Sequence, residues 1–258
     1  MLRGLFTAAS GMYASQRKTE MLTNNMANAQ TPGFKADHSN VRAFPEMLIE
    51  RFNAGKSRSE RVGTLHTGVY VQEMLPRFVQ GDSIQTERPT DFALFDRAEG
   101  TAFFSVEQDG QVKYTRNGRF TVDPSGTITT ENGWPVLDMN GNQIRVTSDR
   151  FEVDESGWIT ENGIQIARFG IVRADNPENL AKEGDGLFRT ENNAALPIAE
   201  NVDFTISQGF VEKSNVDMSR SMTDMITAYR TFEANQKVVQ AYDRSLDKAV
   251  NEVGRVNG

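Results

Sequence analysis

The C-terminal stretch MSRSMTDMITAYRTFEANQKVVQAYDRSLDKAVNEV, residues 218–253, predicts the longest element of the fold. Every seventh residue from its start is apolar, and the residue three positions later is mostly small. The first series is Met218, Met225, Phe232, Val239, Leu246 and Val253, and the second is Ser221, Ala228, Asn235, Tyr242, Ala249 and Val256. A sustained seven-residue repeat is typical of a helix that packs lengthwise on another helix. We therefore expect a helix over residues 216–253, within an axial region of residues 209–258.

A second repeat begins near the N-terminus and predicts a helix over residues 2–29. Its apolar or small positions recur about every 3.5 residues, and they are Leu5, Ala8, Met12, Ser15, Leu22, Met26 and Ala29. The last turns of this helix carry three asparagines, Asn24, Asn25 and Asn28. Pro32 and Gly33 then suit the second and third positions of a type II turn, where the third residue needs a positive φ. We predict a helix and turn over residues 1–35, with Pro32 and Gly33 as a hinge.

The two repeats lie at opposite ends of the chain and favour coiled-coil packing between the terminal helices, within one chain or between chains. The alternative is that each helix simply packs on its own domain, as amphipathic helices usually do. Under the first interpretation, the predicted assembly interface comprises Leu5, Met12, Asn24, Asn25, Met26, Asn28, Met218, Met225, Phe232, Asn235, Val239, Tyr242 and Leu246.

The middle of the chain reads as β-structure. Turn dipeptides such as Asn117-Gly118 and Asn132-Gly133 separate short alternating runs, which is the pattern of hairpins. Two of these runs resemble each other, RFTVDPSGTITTENG at 119–133 and RFEVDESGWITENG at 150–163. We predict a mostly antiparallel β domain over residues 65–208, preceded by a linker or extended segment over residues 36–64, of which 50–64 is polar and mobile. The fold class is α+β, with long terminal helices flanking the β domain.

Composition excludes several classes of function. The chain has 258 residues, a net charge of −7 and no cysteine, so disulfides, thiolate metal sites and cysteine nucleophiles are absent. Without a dense basic cluster, nucleic acid is not an expected partner. His38 and His66 lie apart and have no second ligand at metal spacing. We find no catalytic or cofactor-binding motif, and expect no enzyme activity, catalytic residue, metal, cofactor or small-molecule substrate.

The two ends of the chain resemble the paired terminal signatures of bacterial flagellar rod and hook proteins. The residues that carry this resemblance are TAASGMYASQRKTEMLTNNMANAQTPGFK at 7–35, and QGFVEKSNVD at 208–217 with MITAYRTFEANQKVVQAYDRSL at 225–246. HTGVYVQE at 66–73, QGDSIQTERPTDFAL at 80–94 and YTRNGRFTVDPSG at 114–126 are similar to successive core motifs of the family. The chain length and the run RAFPEML at 42–48 are closest to hook–basal-body proteins of Bacillus-like bacteria.

The resemblance implies a structural subunit of the basal-body rod that polymerises through its terminal helices into part of the shaft joining motor to hook. Its partners would be copies of itself, other rod and hook subunits, and the flagellar type III export apparatus. It would reach the basal body in the cell envelope without a cleaved signal peptide. The asparagines near the end of the first helix would then fix the register between subunits.

Two departures from the family pattern affect local features. FDRAEG at 95–100 stands where the family has a tight glycine-rich turn, and Tyr229 precedes Arg230 where a glutamine is usual. The alternative function is a coiled-coil surface fibre, adhesin or phage-tail-like protein with a β head. That alternative shares the layout of helices and β domain, but leaves the motifs at 31–35 and 214–217 without explanation.

Overall fold

The computed structural model describes residues 2–51, 60–65, 67–200 and 203–253. It confirms the α+β class, with one long helix at each end and antiparallel sheets between. The helices are α1 (Leu2–Ala27) and α2 (Met218–Lys248), and α2 continues as a π-helical turn, Ala249–Val253. Within the described residues no helix combines the length and apolarity needed to cross a bilayer.

The strands follow the predicted hairpin pattern. Their bounds are β1 Asp37–Ala43, β2 Met47–Arg51, β3 Glu60–Leu65, β4 Val69–Pro76, β5 Ser83–Gln85, β6 Phe92–Asp96, β7 Thr101–Gln108, β8 Gln111–Thr115, β9 Phe120–Val122, β10 Ile128–Thr130, β11 Glu152–Val153, β12 Trp158–Glu161, β13 Ile164–Arg168, β14 Ile171–Ala174, β15 Leu180–Lys182, β16 Leu187–Thr190, β17 Phe204–Gln208 and β18 Phe210–Glu212. Two short 3-10 helices, Pro177–Asn179 and Gly184–Gly186, flank β15.

The chain divides into two compact units. The helical unit contains residues 1–26, 37–75 and 218–258, and the β unit contains residues 27–36 and 76–217. This division places three segments differently from the predicted domain boundaries. Residues 209–217 of the predicted axial region belong to the β unit. The turn after α1 belongs to the β unit, because its backbone and Lys35 bond to Glu212. Strand β4 belongs to the helical unit, where it pairs with β1.

In the helical unit, α1 and α2 lie antiparallel. A β-carbon built on Gly4 would lie 2.0 Å from the Tyr242 hydroxyl, and one on Gly11 would lie 2.8 Å from the Asn235 amide nitrogen. Both contacts are seven residues apart on each helix, as the heptad pattern requires. On α2, the heptad positions from Ser221 to Ala249 are buried or half-buried, and most residues between them are exposed. The helix predicted from the seven-residue repeat is therefore confirmed, and its repeat marks the side nearest α1.

Asn25 connects α1 to the strand that follows it in the same unit. It is buried, its amide nitrogen donates to the Asp37 carbonyl at 2.8 Å, and its oxygen accepts from the Asp37 amide at 2.9 Å. These paired bonds satisfy the main chain at the start of β1. The amide thus fixes the return of the chain within one subunit, a role that the sequence did not reveal.

The predicted segment 36–64 contains β1, β2 and most of β3, and is extended along much of its length. Residues 52–59 of the predicted mobile linker lie outside the described residues, as does His66. His38 is exposed on β1.

The β unit is built on a five-stranded sheet in the order β14-β7-β8-β16-β15. Strand β7 is buried on both faces, and alternation along it supplies two cores. Phe104 joins the main core, in which the rings of Phe92, Phe120 and Phe169 lie 5.1–6.2 Å apart. Phe103 points to the other face and packs with Phe188. Aromatic packing of this kind anchors the unit without disulfides.

The two similar sequence runs form two hairpins, β9–β10 and β11–β12. In each, an aspartate closes the turn by accepting from the amides two and four residues ahead. The Asp123 carboxylate accepts from Ser125 and Thr127 at 2.8 Å, and Asp154 accepts from Ser156 at 3.0 Å and Trp158 at 2.8 Å. The carboxylates therefore stabilise the two turns by accepting backbone hydrogen bonds, as expected of Asx turns.

Candidate functional site

The turn that follows α1 is a buried part of the β unit. Its four residues from Pro32 to Lys35 are all buried, and the Phe34 amide donates to the Thr31 carbonyl at 3.3 Å. Gly33 has φ +67°, which confirms the predicted turn conformation. A β-carbon there would lie 2.4 Å from the carbonyl carbon of Arg116, so the close approach of two backbones also requires glycine.

Beside this turn lies a network of four charged side chains from distant parts of the sequence. Lys35 Nζ donates to Glu212 Oε1 at 2.6 Å, and Arg116 Nε donates to Glu212 Oε2 at 2.6 Å. Arg116 also binds Asp96 Oδ1 at 2.9 Å. Lys35, Arg116 and Glu212 are all at most 2% exposed. Two cations thus face two carboxylates, so their formal charges balance within the buried network.

Arg116 is the centre of this network, and all three nitrogens of its guanidinium group donate hydrogen bonds. Besides the two carboxylates, it donates to the carbonyl oxygens of Leu94 and Ala102. Hydrogen bonds at all three of its nitrogens help to make a buried arginine tolerable. Asp96 comes from the FDRAEG stretch that departs from the family pattern, so the departure supplies one member of the network.

Burial and the neighbouring charges have opposite effects on the pKa values of Glu212 and Lys35. Burial would by itself raise the pKa of Glu212, but Arg116 and Lys35 together hold it below its usual value. Burial lowers the pKa of Lys35, and Glu212 offsets this only in part. Glu212 therefore stabilises the fold in its ionised form.

Asn215 bonds to neighbouring segments of the β unit, and we call the turn at 32–35, the charge network and Asn215 together the junction. Its side-chain oxygen accepts from the Ala36 amide at 2.7 Å, and its nitrogen donates to the carbonyls of Arg77 at 2.8 Å and Val79 at 3.0 Å. The motifs at 31–35, 114–118 and 208–217 consequently meet in one place. The sequence of these motifs does not indicate that their charged residues bind each other.

We expect the β unit to lose stability in acid. Because its folded pKa is depressed, Glu212 contributes stability above its unfolded-state pKa of about 4.3, and this contribution is lost as pH falls toward the lower folded pKa. Urea unfolding between about pH 3 and about pH 7, followed by the fluorescence of Trp134 and Trp158, both in the β unit, measures this dependence. Glu212→Gln should flatten it. An unchanged slope in the variant would show that other carboxylates carry the effect.

The helical unit has a different feature, an apolar stripe that remains exposed on α2. It consists of Met222, Ile226 and Tyr229, whose exposed fractions are 53%, 44% and 57%, and it adjoins Met218, the first residue of the heptad series, which is 44% exposed. On α1, Phe6 and Tyr13 are also exposed, at 67% and 54%. These α2 residues recur at intervals of four and three, which is a helical spacing. They lie outside the heptad series, so the seven-residue repeat does not predict them.

The predicted interface residues fall into three groups by exposure. Asn24 and Met218 are exposed, and Asn25 is buried. The others, all half-buried, are Leu5, Met12, Met26, Asn28, Met225, Phe232, Asn235, Val239, Tyr242 and Leu246. Two of these, Asn235 and Tyr242, lie against α1 at Gly11 and Gly4. The structure thus brings the α2 seam toward α1 within the chain.

Neither the junction nor the stripe has the features of a catalytic or metal site. Within the described residues, no group of three or more histidine or acidic side chains could hold a metal ion. The carboxylates of the junction are already bound by cations, and its arginine and lysine are buried. This arrangement can hold chain segments together, and the apolar stripe can contact another protein surface.

Three family descriptions match separate parts of the chain, in the order of the motifs. "Flagella basal body rod protein" matches residues 5–35, "Flagellar hook protein FlgE/F/G D1 domain" matches residues 98–174, and "Flagellar basal body rod FlgEFG protein C-terminal" matches residues 207–252. The first match covers most of α1 and its turn, the last contains α2, and the middle match lies in the β unit.

Named relatives align over nearly the whole chain. The flagellar hook-basal body complex protein FlhO of Bacillus subtilis is 42% identical over 272 aligned residues, covering 99% of this chain and 100% of the relative. The flagellar basal-body rod protein FlgF of Caulobacter vibrioides is 33% identical, with 100% of both chains covered. FlgG of Bacillus subtilis is 31% identical over 97% of this chain and 99% of the relative. The predicted resemblance is confirmed: this chain belongs to the family of bacterial flagellar basal-body rod and hook–basal-body proteins.

Proposed function

We propose that this chain is a structural subunit of the flagellar basal-body rod and that it polymerises through its helical unit. The observation that carries the proposal is the exposed apolar stripe on α2. Ile226 lies two residues from the buried Ala228, and so on nearly the opposite side of the helix. The first half of α2 is therefore apolar on the side near α1 and on the side away from it. A single helix pair uses only one of these sides.

In this proposal the two apolar sides of α2 have different partners. The heptad seam packs on α1 as a coiled coil, and the exposed stripe packs on a helix of the next subunit. The predicted interface residues of α1, with Asn24 and Asn28 near its end, contribute to the same assembly. Pro32 and Gly33 give the chain its direction as it leaves α1.

The neighbours of the subunit are copies of itself and other rod or hook proteins, and its place is the basal body in the cell envelope. We propose that it is exported by the flagellar type III apparatus without a cleaved signal peptide. It has a structural and not an enzymatic role, in keeping with the names of its relatives. Those names give no support to the alternative of a surface fibre or adhesin.

The proposal is tested in isolated hook–basal bodies. An antibody against the β unit should label purified basal bodies, and cells that lack the gene should have no complete rod, no external hook and no motility. If the chain is recovered instead on the cell surface after flagella are removed, and the deletion strain still swims, the fibre alternative is correct.

Phe232→Asp should abolish assembly and leave the β unit folded. It places an acid in the middle of the α2 seam, where an unpaired and partly desolvated charge costs a few kcal/mol. Motility in soft agar and recovery of the chain in basal bodies measure assembly, and tryptophan fluorescence during urea unfolding measures the β unit, which contains Trp134 and Trp158. Gln240→Asp, which adds an acid at an exposed polar position of α2, is the control. Loss of cooperative unfolding of the β unit would show that α2 belongs to that core.

A further inference from the structure

The charge network joins segments that are far apart in the sequence. Lys35 and Glu212 are separated by 177 residues, and Arg116 and Glu212 by 96. Glu212 belongs to the last strand of the β unit, β18, whose pairing with β5 places it opposite Ser83. A single residue near the end of the β unit therefore binds two cations that come much earlier in the chain.

Glu212 also fixes the N-terminal turn by backbone contacts. Its carbonyl accepts from the Gly33 amide at 2.8 Å, and its Oε1 accepts from the Gly81 amide at 2.8 Å in addition to Lys35. Glu212 thus holds three segments together: the turn, the segment that precedes β5, and β18 itself. The bonds therefore join the turn that follows α1 to β18, the strand that precedes α2 in the sequence.

The two cations depend on Glu212 to different degrees. Without it, Arg116 keeps Asp96 and two carbonyl oxygens. Among the described ion pairs, Lys35 has Glu212 as its only acidic partner, and its other described bond is to the Val79 carbonyl at 3.0 Å. A buried ammonium group with no carboxylate is strongly unfavourable. Lys35 is therefore the group that makes Glu212 necessary.

We propose that Glu212 is a latch that makes the packing of the N-terminal turn conditional on the C-terminal segment. Until residues 210–212 pair with β5, Glu212 is not in place to bind the Lys35 ammonium group in the interior of the β unit. The turn therefore stays unpacked. A chain produced from its N-terminus cannot close this unit before its last strand is available. The device couples the segment that follows α1 to the segment that precedes α2, so they become ordered together.

The test is a double-mutant cycle in the full-length chain. Glu212→Gln should raise the hydrogen-exchange rates of the Gly33 and Phe34 amides by at least about tenfold, because opening there becomes easier, and should lower the urea midpoint of the β unit. Lys35→Met should have a smaller effect, since Glu212 keeps Arg116 and the Gly81 amide. Combining the two should restore most of what Glu212→Gln loses, because the unpaired ammonium is gone.

The control is Glu161→Gln, which alters another buried glutamate that accepts from the Thr147 amide at 3.1 Å and from the Ser148 hydroxyl and has no described cation partner. It should leave exchange at Gly33 unchanged. If Glu212→Gln does not fold, the double variant decides: a folded double variant supports the latch, and an unfolded one overturns it. Additive losses in the double variant, or fast exchange limited to residues 209–217, would also overturn it.

Discussion

Gly33→Ala should destabilise the β unit by about 3 kcal/mol or more, and Gly33→Val by a larger amount. Two causes add. A non-glycine residue at φ +67° is strained, and the new β-carbon would lie 2.4 and 2.5 Å from the carbonyl carbon and oxygen of Arg116. Those are backbone atoms of the residue at the centre of the charge network, so they cannot move aside without disturbing it.

Gly163→Ala is the matched control for this prediction. Gly163 also has a positive φ, +81°, but a β-carbon there would meet nothing within 4 Å. Its cost should be limited to backbone strain, about 1 kcal/mol. Urea unfolding followed by tryptophan fluorescence compares the two variants. Equal losses would show that the approach to Arg116 contributes nothing.

Substitution of Gly33 by valine also distinguishes an effect on export from an effect on assembly. If the subunit is exported unfolded, turn geometry plays no part in its passage, and Gly33→Val should still be secreted into the medium. Rods should be defective and motility lost, because the turn no longer packs on the β unit. Normal swimming of this variant would show that the turn tolerates substitution and that its geometry does not serve assembly.

Features with a local sequence signal were predictable. The seven-residue repeat located α2, Pro32-Gly33 located the turn, and the Asp-x-Ser-Gly runs located two hairpins. In each case the residues that determine the conformation lie within a few positions of each other. Helix period, turn φ and Asx bonding are properties of the local chain, so they do not require knowledge of the tertiary structure.

The charge network could not be predicted in this way. The chain has 28 lysines and arginines and 35 aspartates and glutamates, so a sequence offers very many possible pairs. Lys35 and Glu212 become partners only through the pairing of β18 with β5 and the position of the turn. Their burial is a further tertiary property, since charged residues are mostly exposed unless paired.

The exposed stripe was missed for a different reason. The heptad pattern of α2 explained its apolar residues at the seam, and Met222, Ile226 and Tyr229 lie outside that pattern. A sequence shows that two sides of the helix are apolar, but only the position of α1 shows which side is covered. The uncovered side is the one that a neighbouring subunit can use.

Ile226→Asp should abolish rod assembly without destabilising the folded subunit. Ile226 is 44% exposed in the subunit, so an acid there remains hydrated and should change stability by no more than about 0.5 kcal/mol. In an assembled rod the same position would be covered by the next subunit. The carboxylate would then lose its water without gaining a cation, at a cost of several kcal/mol per contact that every subunit of the polymer repeats.

Gln240→Asp provides the comparison, because Gln240 is an exposed polar residue on the same side of α2 beyond the apolar stripe. Both variants should give the wild-type urea midpoint and should be exported. Only Ile226→Asp should be missing from isolated basal bodies and give non-motile cells. Motile cells with Ile226→Asp in their rods would place the subunit contact elsewhere. Failure of both variants would mean that the whole outer side of α2, and not its apolar half, is buried between subunits.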